Sequence, residues 1–134
     1  MDLGEALYRQ LSTATLTTQL GSTAIYPLVA PQGKTLPYIT YQQISEPRIH
    51  ASMKDPGLQS PRVQISQWSS SYEQVKLLAD KTRNVLQDFS GNLGGGMAVQ
   101  RIFFDNEVDL LDMDSEAGKL TYHTAQDYII WYST

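Results

Sequence analysis

The sequence contains no cysteine, which excludes disulfide bonds, thiolate nucleophiles and cysteine-ligated zinc. It has no uninterrupted apolar run of the roughly 18 residues that a membrane-spanning helix needs. Charged residues are only 18% of its 134 positions, and the formal net charge is -4, which disfavours a nucleic-acid binder with a basic surface. The N-terminus lacks the basic and apolar regions of a secretory signal, so we expect a protein that stays in the cytoplasm where it is made.

Residue patterns typical of catalysis are also missing. The two histidines, His50 and His123, have no second metal ligand at a usual spacing. No Gly-x-Ser-x-Gly nucleophile elbow occurs, and the glycines at 94–96 lack the Lys-Ser or Lys-Thr of a phosphate loop. Residues 112–118 resemble the start of a calcium-binding EF loop, but the glycine comes one position late and the final glutamate is absent. We therefore predict no enzymatic activity, no metal and no cofactor.

Two stretches have the apolar periodicity of amphipathic helices. Asp2 and Glu5 form a capping box ahead of leucines spaced by four residues, which predicts a helix over residues 2–13. Ser70 or Ser71 caps a second predicted helix, whose apolar stripe advances mostly in steps of three, four and seven. The stripe consists of Tyr72, Val75, Leu78, Ala79, Thr82, Leu86 and Phe89.

Five segments are rich in β-forming residues, namely 25–29, 37–45, 62–68, 97–104 and 119–132. Pro27 cannot donate to a strand ladder, so the first strand is predicted at a sheet edge. The last segment would span on the order of 45 Å, so we expect a bulge or an overhanging end. The order α-β-β-β-α-β-β predicts a single α+β domain over residues 1–134. Its predicted architecture is a two-layer sandwich, with a mostly antiparallel sheet and two helices on one face.

Two connecting segments are predicted to be exposed. Residues 46–61 hold three prolines, a glycine and mixed charges, which is typical of a long loop or arm. Residues 105–118 carry six acids, and a solvated acidic loop is predicted there. Those acids are Asp105, Glu107, Asp109, Asp112, Asp114 and Glu116. A small sheet with exposed strand edges must cover them, and symmetric self-association is one way to do so.

Several segments of the chain have distinctive sequences. The first are Tyr-Pro-Leu-Val-Ala-Pro-Gln-Gly at 26–33 and Leu-Pro-Tyr-Ile-Thr-Tyr at 36–41. Next come Arg-Val-Gln-Ile-Ser-Gln-Trp at 62–68 and Ser-Tyr-Glu-Gln-Val-Lys at 71–76, and the last is Asp-Tyr-Ile-Ile-Trp-Tyr at 127–132. In this order, and across nearly the whole chain, they resemble the tail-completion, or tail-terminator, proteins of long-tailed bacteriophages. The segments at 62–76 are similar to that family's central strand–helix unit, and the segment at 127–132 is similar to its closing strand.

This resemblance implies a structural virion protein without catalytic activity or cofactors. Members of the family assemble as rings, commonly hexamers, on the head-proximal end of the tail tube. The ring stops tube polymerisation and presents a surface to the head connector. The implied partners are other copies of the chain, the tail tube protein and the head-completion protein, with no membrane and no specific nucleic acid. The implied location is the virion tail, after synthesis in the host bacterial cytoplasm.

In such a ring, several residues are candidates for contacts. The exposed edges of the first and last strands, which carry Tyr26 and Trp131, could pair between subunits by strand addition. The 46–61 arm could reach the tail tube or a neighbouring subunit through Arg48, His50, Met53 and Lys54. The acids of 105–118 could face the lumen and repel passing DNA, or they could form a solvated outer loop.

Two other functions stay open at this stage. One is a small α+β ligand-binding or enzyme domain that acts as a dimer, which would need a concave pocket with convergent polar groups. The other is a host-side binding module whose acidic loop mimics nucleic acid, which would bind a basic protein in a salt-sensitive way.

Overall fold

The computed structural model describes residues 2–13, 16, 24–31, 36–45, 58–114 and 119–133. In these residues the chain forms two helices, α1 (Leu3–Leu11) and α2 (Tyr72–Leu86). It also forms seven strands, which are β1 (Ile25–Pro27), β2 (Tyr38–Ser45), β3 (Leu58–Gln59), β4 (Arg62–Ser69), β5 (Gly91–Leu93), β6 (Met97–Asp114) and β7 (Lys119–Ser133). None of the helices in this part of the chain is long and apolar enough to cross a membrane.

Both helices begin at the caps that the sequence predicts. The Asp2 carboxylate accepts a hydrogen bond from the Glu5 amide at 2.7 Å, and the Ser71 hydroxyl accepts one from the Gln74 amide at 3.3 Å. These side chains satisfy amides that have no partner within the first turn of a helix. The buried residues of both helices repeat at helical spacing and are Leu3, Ala6, Leu7 and Leu11 in α1 and Val75, Leu78, Ala79, Thr82 and Leu86 in α2.

The strands form one sheet in the order β1-β2-β4-β7-β6-β5, with β3 paired to the end of β7. The predicted α+β class is confirmed, and the sheet is mixed because β1 runs parallel to β2. Every other described pair is antiparallel. β1 lies at an edge, as Pro27 predicts, because the ring nitrogen of proline cannot donate to a further strand.

The longest feature of the fold is the hairpin of β6 and β7, with 18 and 15 residues. The prediction of an acidic loop over 105–118 is therefore wrong for residues 105–114, which lie in β6 and pair with β7. Residues 115–118 lie outside the described part of the chain. Composition suggested a loop because acids are rare in strands, but cross-strand pairing and cationic neighbours stabilise the acids here.

The position of β7 also differs from the prediction. The last strand was expected to offer a free edge, but it lies inside the sheet, between β4 and β6. Its N-terminal end does overhang, since the last partner of β7 on β4 is Ser69, opposite Tyr122. Within the predicted 46–61 loop, Leu58–Gln59 form strand β3 against β7, and residues 46–57 lie outside the described residues. The short strands β3 and β5 were both absent from the predicted order.

Two bulges in β6 decide which way its side chains point. The register of β6 against β7 shifts between Val99 and Arg101, and again between Phe104 and Asn106. Each bulge adds one residue and so exchanges the two faces of the strand. Between the bulges, Ile102 and Phe104 point toward the helices. After the second bulge, Glu107 takes that direction instead.

The core lies between the helices and one face of the sheet. It joins apolar residues of α1 and α2 to those of β1, β2, β4, β5, β6 and β7. The largest fully buried apolar side chains are Leu7, Leu11, Leu16, Ile39, Ile65, Leu78, Leu86, Leu93, Ile102, Tyr128 and Ile130. The opposite face of the sheet, called the outer face below, is not packed by either helix.

Gly94 is a point of close approach between α1 and the β5–β6 turn. Its φ is +61°, its amide donates to the Gln10 side chain at 3.1 Å, and a Cβ there would lie 2.6 Å from the Ala6 carbonyl oxygen. The next residue, Gly95, has a φ of +82° but open space where a Cβ would lie. Both glycines have a left-handed backbone, but only Gly94 is crowded. Comparing substitutions at the two positions therefore distinguishes the cost of the backbone conformation from the cost of a steric clash.

We expect Gly95→Ala to lower the free energy of unfolding by about 1 kcal/mol, the cost of a left-handed conformation. Gly94→Ala should lower it by about 2 kcal/mol more, because the new methyl group collides with the backbone of α1. Urea unfolding followed by circular dichroism measures both values. Equal losses in the two variants would contradict the close approach.

Candidate assembly surfaces

A buried glutamine holds the hairpin, the neighbouring strand and α2 together. The Gln126 side-chain amide on β7 donates to the Ala79 carbonyl of α2 at 3.0 Å and to Glu107 of β6 at 2.8 Å. Its side-chain oxygen accepts from Gln67 of β4 at 3.1 Å and from the Tyr128 hydroxyl at 3.0 Å. Burial raises the pKa of Tyr128, so this hydroxyl stays protonated and keeps its donor role. All four hydrogen-bonding positions of this amide are used.

Lys76 of α2 forms ion pairs with two of the acids that composition places in an exposed loop. Its ammonium group lies 2.9 Å from Glu107 and 3.1 Å from Asp109. Burial raises the pKa of Glu107, but hydrogen bonds from Gln126 and Lys76 outweigh that effect and hold the pKa below its ordinary value. The hydrogen bond to Glu107, together with that to Asp109, raises the pKa of Lys76. These acids therefore attach α2 to the hairpin.

Asp105 is bound on the outer face. The Arg62 guanidinium lies 2.6 Å from Asp105 and 3.4 Å from Asp127, and Gln64 donates to Asp127 at 3.3 Å. The predicted cluster of acids is therefore divided. Arg62 of β4 contacts Asp105, and Lys76 of α2 contacts Glu107 and Asp109. The last residues of strand β6 include Asp112 and Asp114. Glu116 lies outside the described residues.

Aromatic rings form a row across the outer face near the N-terminal end of β7. Trp68 stacks on His123 with ring centres 3.7 Å apart, and Tyr38 lies 6.0 Å from Trp68. Tyr26 extends the row to the edge strand, 6.3 Å from Tyr38. His123, for which the sequence offers no metal partner, is a half-buried stacking partner of Trp68. Side-chain alternation in β2, β4 and β7 places these residues on one face, but only the strand order shows that they are neighbours.

The other predicted interface residues are not brought together in the described structure. Trp131 lies on the outer face, half-buried, opposite Arg101 of β6. It belongs to an interior strand, so it cannot take part in edge pairing. Arg48, His50, Met53 and Lys54 lie outside the described residues.

The open edge that β7 was expected to provide belongs to β6. β5 pairs with β6 at residues 97–99, and Ile102 exchanges backbone hydrogen bonds with the chain at Asp88 and Phe89. Beyond Ile102, no described strand pairs with this side of β6. Among the described strands, the sheet thus has a short edge at β1 and a long one at β6.

The hairpin ends as a two-stranded extension, called the ribbon below, which consists of residues 111–114 and 119–122. Leu111 lies opposite Tyr122, whose ring contacts Tyr72 at the start of α2 at 5.9 Å. Leu111 and Leu120 are 54% and 39% exposed. Leu111, Leu120 and Tyr122 are neighbours on one face of the strand pair, and a contiguous apolar patch of this kind is typical of a surface that another chain covers.

An apolar groove of about 140 Å³ lies at the other edge of the sheet. It is formed where α1 crosses β1 and β2, and we call it the edge groove. Its apolar lining comes from Leu3, Leu7, Pro27, Leu28, Tyr41 and Val63. The described residues contain no group of three or more histidine, aspartate or glutamate side chains that could hold a metal ion. The groove has no titratable carboxylate, histidine or lysine in its lining, so its chemistry suits an apolar side chain.

The sequence profile of the family described as "Tail completion protein gp17" matches residues 5–133. The chain belongs to this family. It is therefore a structural component of a bacteriophage tail, located in the virion, and the resemblance seen in the sequence is confirmed.

The fold of this tail completion family member also occurs in an assembled particle. A chain of the solved structure titled "Virion of native gene transfer agent (GTA) particle" superimposes with a TM-score of 0.75 at 15% sequence identity. The match covers 98% of this chain and 95% of that one. No curated protein sequence matches the chain significantly.

The contacts of Glu107 predict a specific dependence of stability on pH. Its pKa is lower in the folded protein than the ordinary value of 4.5, so its contribution is fully present above pH 4.5. The contribution is lost as the pH falls through the folded pKa. Unfolding free energies from urea titrations should therefore fall less steeply below about pH 5 in Glu107→Gln than in the native protein.

Asp80→Asn is the matched control, since it removes a carboxylate of α2 whose partner Arg83 is one helical turn away and which is 59% exposed. Exposed pairs of this kind contribute little, so this variant should keep the native pH profile. A native profile in Glu107→Gln would show that the network around Gln126 does not depend on the charge of Glu107.

Proposed function

We propose that this protein forms a closed ring, most simply a hexamer, on the head-proximal end of the tail tube. The ring stops tube polymerisation and offers the surface to which the head connector binds. The observation that carries the proposal is the match of the tail completion family along almost the whole chain, residues 5–133. The proposed partners are further copies of the chain, the tail tube protein and the head-completion protein.

The two edges of the sheet support the ring. A heterologous ring needs two different surfaces on each subunit, placed so that one copy's first surface meets the next copy's second. The edge strand β1, with Tyr26 on its outer face, is one such surface, and the open side of β6 is the other. Edge strands that are left unpaired favour strand addition from another chain. Trp131 would contribute through the outer face.

The 46–61 arm is proposed to contact the tube or a neighbouring subunit. Its Arg48, His50, Met53 and Lys54 offer cationic and apolar side chains. We propose that Asp112 and Asp114, at the end of β6, face the lumen together with Glu116 of the following segment. Negative charge there repels DNA and allows it to pass, because binding to phosphates requires cations.

The mass of the protein in solution tests the ring. Light scattering behind a sizing column should detect a closed species of six times 15.0 kDa, about 90 kDa. If only monomer is found, the protein should still bind to the ends of purified tail tubes and stop their growth when added during polymerisation. A stable dimer that does not bind to the ends of tail tubes would contradict the proposal and favour a small ligand-binding domain.

The arm is tested by deletion. Replacing residues 46–57 with a short glycine–serine linker keeps β3 and β4, so the circular dichroism spectrum and cooperative unfolding should be retained. Tail attachment in a complementation assay should be lost. A linker of equal length and neutral composition serves as the control for chain connectivity. Infectious particles formed at the native level by the shortened protein would exclude an assembly role for the arm.

A further inference from the structure

The edge groove is bordered by a turn held in an uncommon conformation. Leu28 has a φ of +65°, which side chains other than glycine rarely adopt. The Val29 amide donates to the Pro27 carbonyl at 2.7 Å, and the Leu28 amide donates to the Tyr41 carbonyl at 2.8 Å. These bonds fix the turn although its side chains gain little from burial. Leu28 and Val29 are 69% and 75% exposed, the highest exposures among the large apolar residues described.

The ribbon carries the second unpartnered apolar surface. Leu111 and Leu120 lie on the face of the hairpin that points to the helix layer, with Tyr122 between them and α2. α2 begins at Tyr72, so the described helices do not reach over the ribbon. A two-stranded ribbon is barely stable on its own in water, and apolar residues on it need a partner surface.

One chain cannot bring these two surfaces together. Leu28 follows Pro27, which pairs with Tyr41 of β2. Across the sheet, Tyr41 is aligned with Ile65 of β4 and Gln126 of β7, so Leu28 is level with the middle of β7. The spacing between strands and the rise along β7 separate it from the ribbon leucines by about 25 Å. The groove lies at the β1 edge, whereas the ribbon lies toward the β6 edge. Each copy thus carries one groove and one set of ribbon leucines, facing different neighbours.

We propose that the ribbon leucines, Leu111 and Leu120, of one subunit pack on the edge groove of the next, with one side chain entering the groove, and cover its Leu28 and Val29. The occupant is thus a second copy of this chain. An apolar cavity of about 150 Å³ holds a benzene molecule, so the groove of about 140 Å³ accommodates a leucine side chain. The contact is heterologous, because groove and leucines are different surfaces, and it repeats from copy to copy as a closed ring requires. This inference rests on the proposed ring.

Site-specific cross-linking tests the contact, because the native chain has no cysteine and an introduced thiol is unique. Val29→Cys and Leu111→Cys are purified separately, mixed and treated with a mild oxidant. The expected product is a disulfide-linked pair of twice 15.0 kDa, about 30 kDa, at several times the yield of either variant alone. A protein with both substitutions should give a ladder of oligomers that ends at the closed ring.

Val29→Cys mixed with Val108→Cys is the matched control. Val108 is 44% exposed on the same strand as Leu111 but lies on the outer face. A yield from the Leu111 pair no higher than that from this control would overturn the proposal. Efficient pairing of Val29→Cys with itself would also overturn it, because that product requires a symmetric contact at the β1 edge.

Two blocked variants provide an independent measurement. Leu28→Asp impairs the groove and leaves the ribbon intact, and Leu111→Asp does the reverse. Each alone should stay monomeric in light scattering, whereas an equimolar mixture should form a one-to-one pair through the remaining intact groove and ribbon. Pair formation supports the contact, and two monomers in the mixture contradict it.

The two proposals fail in different ways. If the native protein forms the 90 kDa species but Val29→Cys and Leu111→Cys do not cross-link, the ring is retained and this contact is excluded. A cross-linked ladder from protein that neither binds nor caps tail tubes would retain the contact and exclude the proposed terminator function.

Discussion

The structure depends on one buried amide. The Gln126 side chain is fully buried and makes four hydrogen bonds, of which three join β4, β6 and α2 to β7 and the fourth comes from Tyr128 on β7 itself. A buried amide that lost one of these partners would keep an unsatisfied polar atom, which costs more than the bond itself contributes. The network therefore fixes the register of β7 against both neighbours, and with it the direction of every side chain on the hairpin. Hydrophobic burial disfavours a slip of one residue, which would exchange the two faces, whereas a slip of two residues keeps the faces and would instead break these hydrogen bonds.

The bulge at Asp105 makes this network possible. Without an extra residue there, alternation along β6 would place Glu107 on the outer face, away from Gln126 and Lys76. The same bulge turns Leu111 toward the helix side and Leu110 toward the outer face. A single inserted residue thus determines both how α2 is attached and which apolar side chains the ribbon presents. The open β6 edge beyond the bulge carries acids, which disfavour uncontrolled pairing with other strands.

The sequence predicts local features well and the arrangement of strands poorly. Both helices, their caps at Asp2 and Ser71, and the strands β1, β2 and β4 follow from periodicity and capping chemistry, which involve neighbouring residues. Composition predicts a loop for the acids at 105–109, because it does not show that Arg62 and Lys76 lie beside them. The interior position of β7 depends on pairing with residues more than fifty positions away. The family resemblance correctly indicated the tail protein, but it gave no side-chain geometry.

The β6–β7 hairpin also bears on how the chain folds. Its two strands are adjacent in sequence, so their contacts close short loops, whereas β4 must find β7 across the length of α2 and the hairpin. Contacts between near neighbours form faster because less chain entropy is lost before they are made. We expect the hairpin to form early and the other strands and the helices to pack against it afterwards. If the hairpin forms first, the acids along β6 give two incompletely folded copies like charges that repel, which disfavours their association through unpaired strands.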